Sequence, residues 1–215
     1  MAWGDTSTEV KDTSSNANHG DATNMSAASV TPGRIGQALS FDGTDDTVLV
    51  TDPGSGVLDF GDTADLTVSG WFYRGTATTD DTIVAKRNGI TAGDTGYLVF
   101  IDDATDKLIF ETSDGTDEYS LTSSAAFTAA GWYHFVVVWD QDSAANSEIY
   151  IDGAADGATD AGTIGNIGDL SNALALAIGT ESDAANPFDG KIDDIRVYSR
   201  ALSTAEVTEL YNLGR

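Results

Sequence analysis

Short apolar runs that alternate with polar residues recur along this chain, and glycine or aspartate bounds most of them. A repeat of two residues is the spacing of side chains on one face of a β-strand. About ten such runs predict short strands joined by turns, as in a β-sandwich or jelly roll. The predicted strands lie within 38–43, 47–52, 66–75, 81–89, 96–103, 107–114, 131–140, 148–156, 173–180 and 190–199.

The composition agrees with many turns around one core. The 215 residues include 23 glycines but only 3 prolines, and this length suits one all-β domain spanning 1–215. Cysteine is absent, which excludes disulfides, thiolate metal sites and cysteine nucleophiles.

The charge is strongly negative, with 35 acidic against 10 basic residues and a formal net charge of −25. Nucleic acid and anionic membrane surfaces are therefore disfavoured partners, because both require a cationic protein surface. Two interpretations of the acidity stay open. It forms a solvated shell suited to high salt, where charge repulsion is screened within about 3 Å at 1 M, or some aspartates bind divalent cations.

One helix is predicted, at the end of the chain. Ser203 and Glu206 have the spacing of a capping box, and Leu202 and Val207 are placed for a hydrophobic staple. Gly214 is a helix stop. The helix therefore follows the last predicted strand and packs onto the body of the domain.

The first ten residues, MAWGDTSTEV, lack the basic start and the apolar stretch of a signal peptide. No window approaches the ~20 apolar residues of a membrane-spanning helix. We therefore expect a mature chain, a piece excised from a larger protein, or a protein exported by another route such as lysis.

Several ordered motifs resemble those of laminin-G-like domains in the concanavalin A-like lectin/glucanase superfamily. The segment GRIGQALSFDGTDDTVLV (33–50) resembles the early strands of that family, and GWYHFVVVWD (131–140) its tryptophan-centred core strand. The most specific match is FDGKIDDIRVYSRALSTAEVTELY (188–211), a final strand followed by a capped helix. The resemblance implies an all-β, concanavalin A-like jelly-roll sandwich of two antiparallel sheets with one short C-terminal helix.

The same resemblance implies a structural calcium ion beside the final strand. It places Asp193 as a side-chain ligand, and the Asp12 and Asn18 segment and the Asp42-Gly43 turn as sources of further oxygens. Calcium takes 6–8 oxygen ligands, which loops rich in Asn and Gly can offer. The alternative is that Asp193 or Asp194 pairs with Arg196 or caps a turn.

Ligand binding needs exposed polar or aromatic groups, and one basic segment stands out in the acidic chain. Lys86, Arg87 and Tyr97 fall in AKRNGITAGDTGY (85–97), which we interpret as a candidate site for an anionic sugar or partner. Trp3 and Phe188 are further aromatic candidates. The alternative is that Lys86 and Arg87 form ion pairs with Asp80 and Asp81.

Catalytic motifs are lacking. The superfamily's glycosidases use alternate carboxyl groups on one strand, and ETSDGTDE (111–118) and EIYID (148–152) have the wrong spacing for them. His19 and His134 lack a nucleophile motif such as Gly-x-Ser-x-Gly. We therefore expect no enzymatic activity.

Two functional hypotheses follow. The first is a recognition or adhesion module that binds a glycan or a surface protein. The second is a structural component of an assembly, such as a virion or cell-surface decoration protein, as a homo-oligomer or in a larger complex. Both imply an extracellular, cell-surface or virion-surface location without membrane insertion.

Overall fold

The computed structural model describes residues 2–3, 9–75, 79–89 and 93–215, with only the backbone considered at 2–3. Two antiparallel sheets face each other, as the jelly-roll prediction requires. The larger sheet has ten strands in the order β1-β2-β3-β6-β16-β8-β9-β10-β11-β15. Its strands are β1 (Ala2–Trp3), β2 (Glu9–Lys11), β3 (Gly20–Thr23), β6 (Thr47–Val50), β8 (Asp81–Lys86), β9 (Thr95–Ile101), β10 (Lys107–Asp114), β11 (Glu118–Ala126), β15 (Thr159–Gly162) and β16 (Leu176–Ile178).

The smaller sheet has seven strands in the order β14-β13-β12-β7-β17-β5-β4. Its two longest strands, β7 and β17, lie side by side near the middle of the sheet. The strands are β4 (Val30–Pro32), β5 (Gln37–Asp42), β7 (Leu66–Arg74), β12 (Trp132–Trp139), β13 (Glu148–Ile151), β14 (Ala154–Ala155) and β17 (Asp189–Tyr198).

The core lies between the two sheets and is built from the inward side chains of both. Phe72 and Phe135 come from the smaller sheet, and Val99 and Phe110 from the larger one. Burying each such side chain contributes roughly 1.5–3 kcal/mol. Trp139, predicted as a core residue, is fully buried here.

Among the described residues there is one α-helix, α1 (Thr204–Leu213), which covers part of the outer face of the smaller sheet, and there are three short 3-10 helices, Ala27–Ser29, Ala144–Asn146 and Ile164–Asn166. Ser203 and Glu206 form the predicted capping box, and Gly214 is the C-cap. Leu202 and Val207 are buried against Val136 and Val138 of β12, which makes a second apolar cluster outside the sandwich. The helix prediction is therefore confirmed in position and in both caps.

The turn between β13 and β14 has the geometry that its Asp-Gly sequence favours. Asp152 and Gly153 have φ angles of +50° and +79°. Two successive positive φ angles define the type I′ hairpin turn expected from an Asp-Gly pair.

Among the described residues, no helix has the length and apolar character needed to cross a membrane.

Candidate functional site

A cleft of about 500 Å³ opens at one side of the sandwich, between the two sheets. One wall is the segment from Val10 to Gly20, which contains β2 and the loop to β3. The opposite wall is the second half of β17, residues 194–198. The floor consists of the side chains of Val48, Val50, Val57, Leu58, Leu176 and Ile178.

The floor is aliphatic and shielded from water. Val48 is fully buried, and Leu176 and Ile178 are 3% and 7% exposed. Val57 is half-buried near the mouth of the cleft. A concave site with an apolar base and a few polar groups around it is the usual form of a ligand-binding site.

The β17 wall has an unusual backbone environment. β17 pairs with β7 as far as Tyr198, but its pairing with β5 ends at Ile192, opposite Leu39. Within the described part of the chain, residues 194–198 therefore have a neighbouring strand on one side only. The same residues line the cleft.

A β-bulge separates the two halves of β17. The register with β7 shifts between Asp193 and Arg196, and Asp194 has a φ of +51°. This conformation is uncommon for a residue other than glycine and costs of order 1–3 kcal/mol, so it marks a functional candidate. Asp194 forms an ion pair with Arg196 (2.9 Å from Nε to Oδ2), and both residues line the cleft.

The other wall is held by Asp12. Its carboxylate accepts the backbone N–H groups of Ser14 (2.7 Å) and Asn18 (2.8 Å). Partial burial opposes ionisation, but these hydrogen bonds and the nearby His19 outweigh it and lower the pKa of Asp12. The loop is thus ordered by its own carboxylate, with Asn16 exposed at the rim.

The residues predicted to bind calcium do not share one coordination sphere. Asp193 is fully buried, and its Oδ2 accepts the backbone N–H groups of Arg34 (2.7 Å) and Ile35 (2.8 Å). Asp42 lies opposite Asp189 in the sheet. Asp189 precedes Asp193 by four residues along β17, which places Asp42 roughly 13 Å from Asp193.

Asp12 and Asn18 lie in the loop between β2 and β3 of the other sheet, where the Asn18 N–H donates to the Asp12 carboxylate. The geometry around Asp193 and Asp194 thus corresponds to the alternative prediction, in which one carboxylate caps a turn and the other pairs with Arg196. The predicted ligand set does not fit a single calcium ion.

Asp42 and Gly43 do lie in an acidic turn. Carboxylate oxygens of Asp42, Asp45 and Asp46 lie within 4.8 Å of one another. Asp46 is 7% exposed. Its burial, together with the charges of Asp42 and Asp45, raises the pKa of its carboxyl group, although a hydrogen bond from the Asp42 N–H opposes the increase.

The predicted ligand-binding residues Lys86, Arg87 and Tyr97 are fully buried, so the expectation that they are accessible is wrong. The Lys86 ammonium forms ion pairs with Asp52 (3.1 Å) and Asp59 (2.7 Å), and the Tyr97 hydroxyl donates to the Leu58 carbonyl. These contacts hold a loop against the sandwich.

Arg87 also pairs with partners other than those predicted. Its guanidinium contacts Glu118 (3.0 Å) and Glu111 (3.6 Å), and Asp81 lies instead beside Arg74. Burial, the charge of Glu118 and a hydrogen bond between the two carboxyl groups raise the pKa of Glu111 to about 7, against the effect of Arg87.

The β10–β11 hairpin therefore brings together two carboxyl groups that looked too far apart in sequence. A glycosidase pair flanks the scissile bond at about 5 Å or more. Glu111 and Glu118 contact each other directly and leave no such gap.

Of the two further aromatic candidates, only Phe188 has a described side chain, and it gives no stacking surface. Phe188 is fully buried, and the side chain of Trp3 lies outside the described residues. Tyr198 borders the cleft on β17, but its half-buried side chain packs against the apolar cluster under α1. The sequence signals near the cleft were Asp12, Asn18 and the paired aspartates 193 and 194, and they were interpreted as parts of a metal site.

The fold and the cleft define a lectin-like jelly-roll sandwich with an open side. A family model described as Concanavalin A-like lectin/glucanases superfamily (Laminin_G_3) matches residues 42–208. The chain belongs to this family, as its motifs predicted. A comparison with curated protein sequences gave no significant match.

Solved structures with the same fold include bacterial toxin domains. The binding domain of Paraclostridial Mosquitocidal Protein 1 superposes with a TM-score of 0.67 at 17% identity, over 96% of this chain and 51% of that one. The binding domain of Botulinum Neurotoxin DC, in complex with SialylT, gives 0.67 at 14% identity, over 95% and 48%. The chain thus spans about half the length of these relatives.

A third similar structure comes from an animal. The native heptameric SAP-like pentraxin from Limulus polyphemus gives a TM-score of 0.55 at 16% identity, over 80% of each chain. At these identities the likeness establishes the shared fold.

Proposed function

We propose that this chain is a non-catalytic recognition module that binds a glycan or a protein surface at the cleft. The observation that carries the proposal is the combination of an aliphatic floor with hydrogen-bonding groups on both walls, at Asn16 and at the Asp194–Arg196 pair. The similar toxin structures are binding domains, and one was solved with SialylT. Their titles support a lectin-like role for this fold.

The charge of the protein narrows the ligand. Carboxylates of Asp12 and Asp194 stand on the two walls, in a chain whose net charge is −25. A negative potential attracts cationic ligands, repels anionic ones and leaves neutral ligands unaffected. We therefore propose neutral or amino-bearing ligands, in contrast to the sialylated ligand of the neurotoxin complex.

A glycan array followed by isothermal titration tests the proposal, with two matched variants. Asn16→Ala removes a rim amide and should weaken binding about fivefold, because a lost hydrogen bond costs roughly 1 kcal/mol. Asn212→Ala removes an exposed amide on α1 and should leave affinity unchanged. Equal effects of the two variants, or no ligand in broad glycan and protein panels, would contradict the proposal.

The second candidate is the structural assembly component. The one-sided pairing of residues 194–198 favours it, because an open strand edge can pair with another chain. Light scattering after size-exclusion chromatography at low salt and at ~2 M salt, where repulsion is screened, tests it. An oligomer at either salt supports assembly, and a monomer at both argues against it. An extracellular, cell-surface or virion-surface location is part of the same proposal.

Calcium binding is also proposed, at the acidic turn of Asp42, Gly43, Asp45 and Asp46. Hard cations prefer carboxylate oxygens, and an ion would relieve the repulsion that raises the pKa of Asp46. Titration of the protein with calcium, with Asp46→Asn as the comparison, tests the site. Identical heats for the two proteins, or an unchanged melting temperature in EDTA, would contradict it.

A further inference from the structure

We infer that the cleft accepts an extended peptide segment, which adds to the smaller sheet as a new strand along the second half of β17. The inference rests on the proposed function, because it takes the same cleft as the binding site. It goes further by naming the partner as a peptide with alternating aliphatic and basic residues.

The first support is the open backbone edge. β5 occupies the position beside β17 only from Asp189 to Ile192. Beyond Ile192 the chain of β5 turns away from β17 at residues 33–36, and the amides of this turn donate to the Asp193 carboxylate. Among the described residues, no strand pairs with 194–198 on the side of β17 that β5 occupies earlier. These five residues span about 16 Å, which is enough for a strand of four or five residues.

The second support is the floor. Side chains of a strand alternate between its two faces, so every second residue of an added strand would point into the sandwich. There it would meet Val48 and Ile178 of the opposite sheet, with Ile195 and Val197 as neighbours on β17. An added strand with valine or isoleucine at these positions would continue the alternation of the core.

The third support is the chemistry of the lining, which suits a peptide better than a sugar. Sugar rings are commonly held by aromatic faces and several hydrogen bonds, whereas the floor residues of this cleft are aliphatic. Of the described residues that line it, only Tyr198 carries an aromatic ring. Strand addition instead uses backbone hydrogen bonds for affinity and alternate side-chain pockets for specificity.

The negative charge around the cleft favours basic residues on the solvent-facing side of the added peptide strand. Asp194 lies along the β17 edge and Asp12 on the facing wall, and the whole chain carries −25. Basic side chains on the solvent face of the added strand would lie in a negative potential, which increases the association rate and favours this charge pattern. An acidic peptide of the same apolar pattern should bind much more weakly.

The test uses defined peptides and the whole chain. The probe is acetyl-Lys-Val-Lys-Val-Thr-Val-Lys-amide. Two controls have the same composition, one with its valines in a block and one N-methylated at the amides that would face β17. Titration calorimetry gives the affinities, and hydrogen exchange monitors the amides of 189–198. We expect the alternating peptide to bind at least about tenfold more tightly than either control and to slow exchange at 194–198 but not at 189–192.

A pair of charge-matched variants locates the site. Val57→Lys places an ammonium group at the mouth of the cleft, and Leu213→Lys adds the same charge on α1, where Leu213 is 60% exposed. Val57→Lys should reduce peptide affinity about tenfold or more, because a buried ammonium is costly. Leu213→Lys should leave it within about twofold.

Several outcomes would overturn the inference. The first is that, in the peptide-free monomer, the amides at 194–198 are as protected from hydrogen exchange as the amides at 189–192. Another is equal binding of the three peptides or equal effects of the two variants. Protection that rises with protein concentration would show that a second copy fills the cleft.

The failure of the inference can be separated from that of the proposed function. If glycans bind, Asn16→Ala weakens that binding and the peptides do not bind, the proposed recognition function is supported and strand addition by a peptide is contradicted. Absence of both glycan and peptide binding would remove both.

Discussion

The two halves of β17 differ in how fully the fold surrounds them. Residues 189–192 have strands on both sides, whereas 194–198 pair with β7 alone. Ile192 is fully buried, while every residue from 194 to 198 is half-buried. One strand thus provides a structural element in its first half and a candidate binding edge in its second, with a bulge at the boundary.

The largest expected effect comes from replacing isoleucine with alanine in each half of β17. Ile192→Ala should cost about 3 kcal/mol of unfolding free energy, because it leaves a cavity in a closed core, and Ile195→Ala about 1 kcal/mol. Urea unfolding of both variants measures the difference. Equal losses would mean that the second half is as tightly packed as the first.

Next in size is the pH dependence at the boundary. His134 lies opposite Trp71, which in turn lies opposite Asp193. Burial first, and then the charge of Arg196, lower the pKa of His134 to about 4. A lowered pKa means that the unfolded chain binds the proton more readily. The stabilisation is therefore complete above about pH 6.5 and is lost progressively towards pH 4, by up to about 3 kcal/mol.

Chemical denaturation between pH 4 and 7.5 measures this loss, with His134→Phe as the comparison. The phenylalanine variant should lose less stability than the parent protein as the pH falls. Parallel curves for the two proteins would show that His134 does not carry the effect.

A smaller effect is expected at the carboxylate that closes the first half. Asp193→Ala leaves the amides of Arg34 and Ile35 without their acceptor, which should cost about 2 kcal/mol. Asp12→Ala removes a similar pair of hydrogen bonds in an exposed loop, where water replaces the carboxylate. Thermal unfolding should therefore show a clearly smaller shift for Asp12→Ala, and the reverse order would contradict this account.

The smallest effect concerns the bulge. Asp194 has a positive φ, which glycine adopts without strain and a β-branched residue does not. Asp194→Gly should stay within about 1 kcal/mol of the parent protein, and Asp194→Val should lose roughly 1–2 kcal/mol. Unfolding measurements that place the valine variant level with the glycine variant would indicate that the bulge rearranges.

Much of the fold followed from local patterns in the sequence. Each of the ten predicted strands and the capped helix coincides with an observed element. Six strands lie outside the predicted runs: β1, β2, β3, β4, β15 and the longest of them, β11. β11 was missed because its sequence, EYSLTSSAA, has small and hydroxyl side chains where strands usually have branched ones. Its burial depends on the partner strand β10 and not on its own composition.

The candidate site followed much less from the sequence. Lys86 and Arg87 looked accessible because they are charged, but their acidic partners lie 27 and 31 residues away at Asp59 and Glu118. The cleft depends on where β5 stops pairing with β17, which is a relation between distant segments. Asp12, Asn18 and the Asp193-Asp194 pair were selected from the sequence, but as a metal site, and the sequence of a metal site does not differ locally from that of a capped loop or a bulge.

The carboxylate of Asp193 accepts hydrogen bonds from Arg34 and Ile35, which precede it in the sequence by 159 and 158 positions. Contacts of such high sequence separation predict slow folding, because a long loop must close before they form. During synthesis on the ribosome, β5 and β7 emerge well before the strand that lies between them. Their edges remain exposed until β17 has been synthesised, so this interval is when aggregation or chaperone binding is most expected.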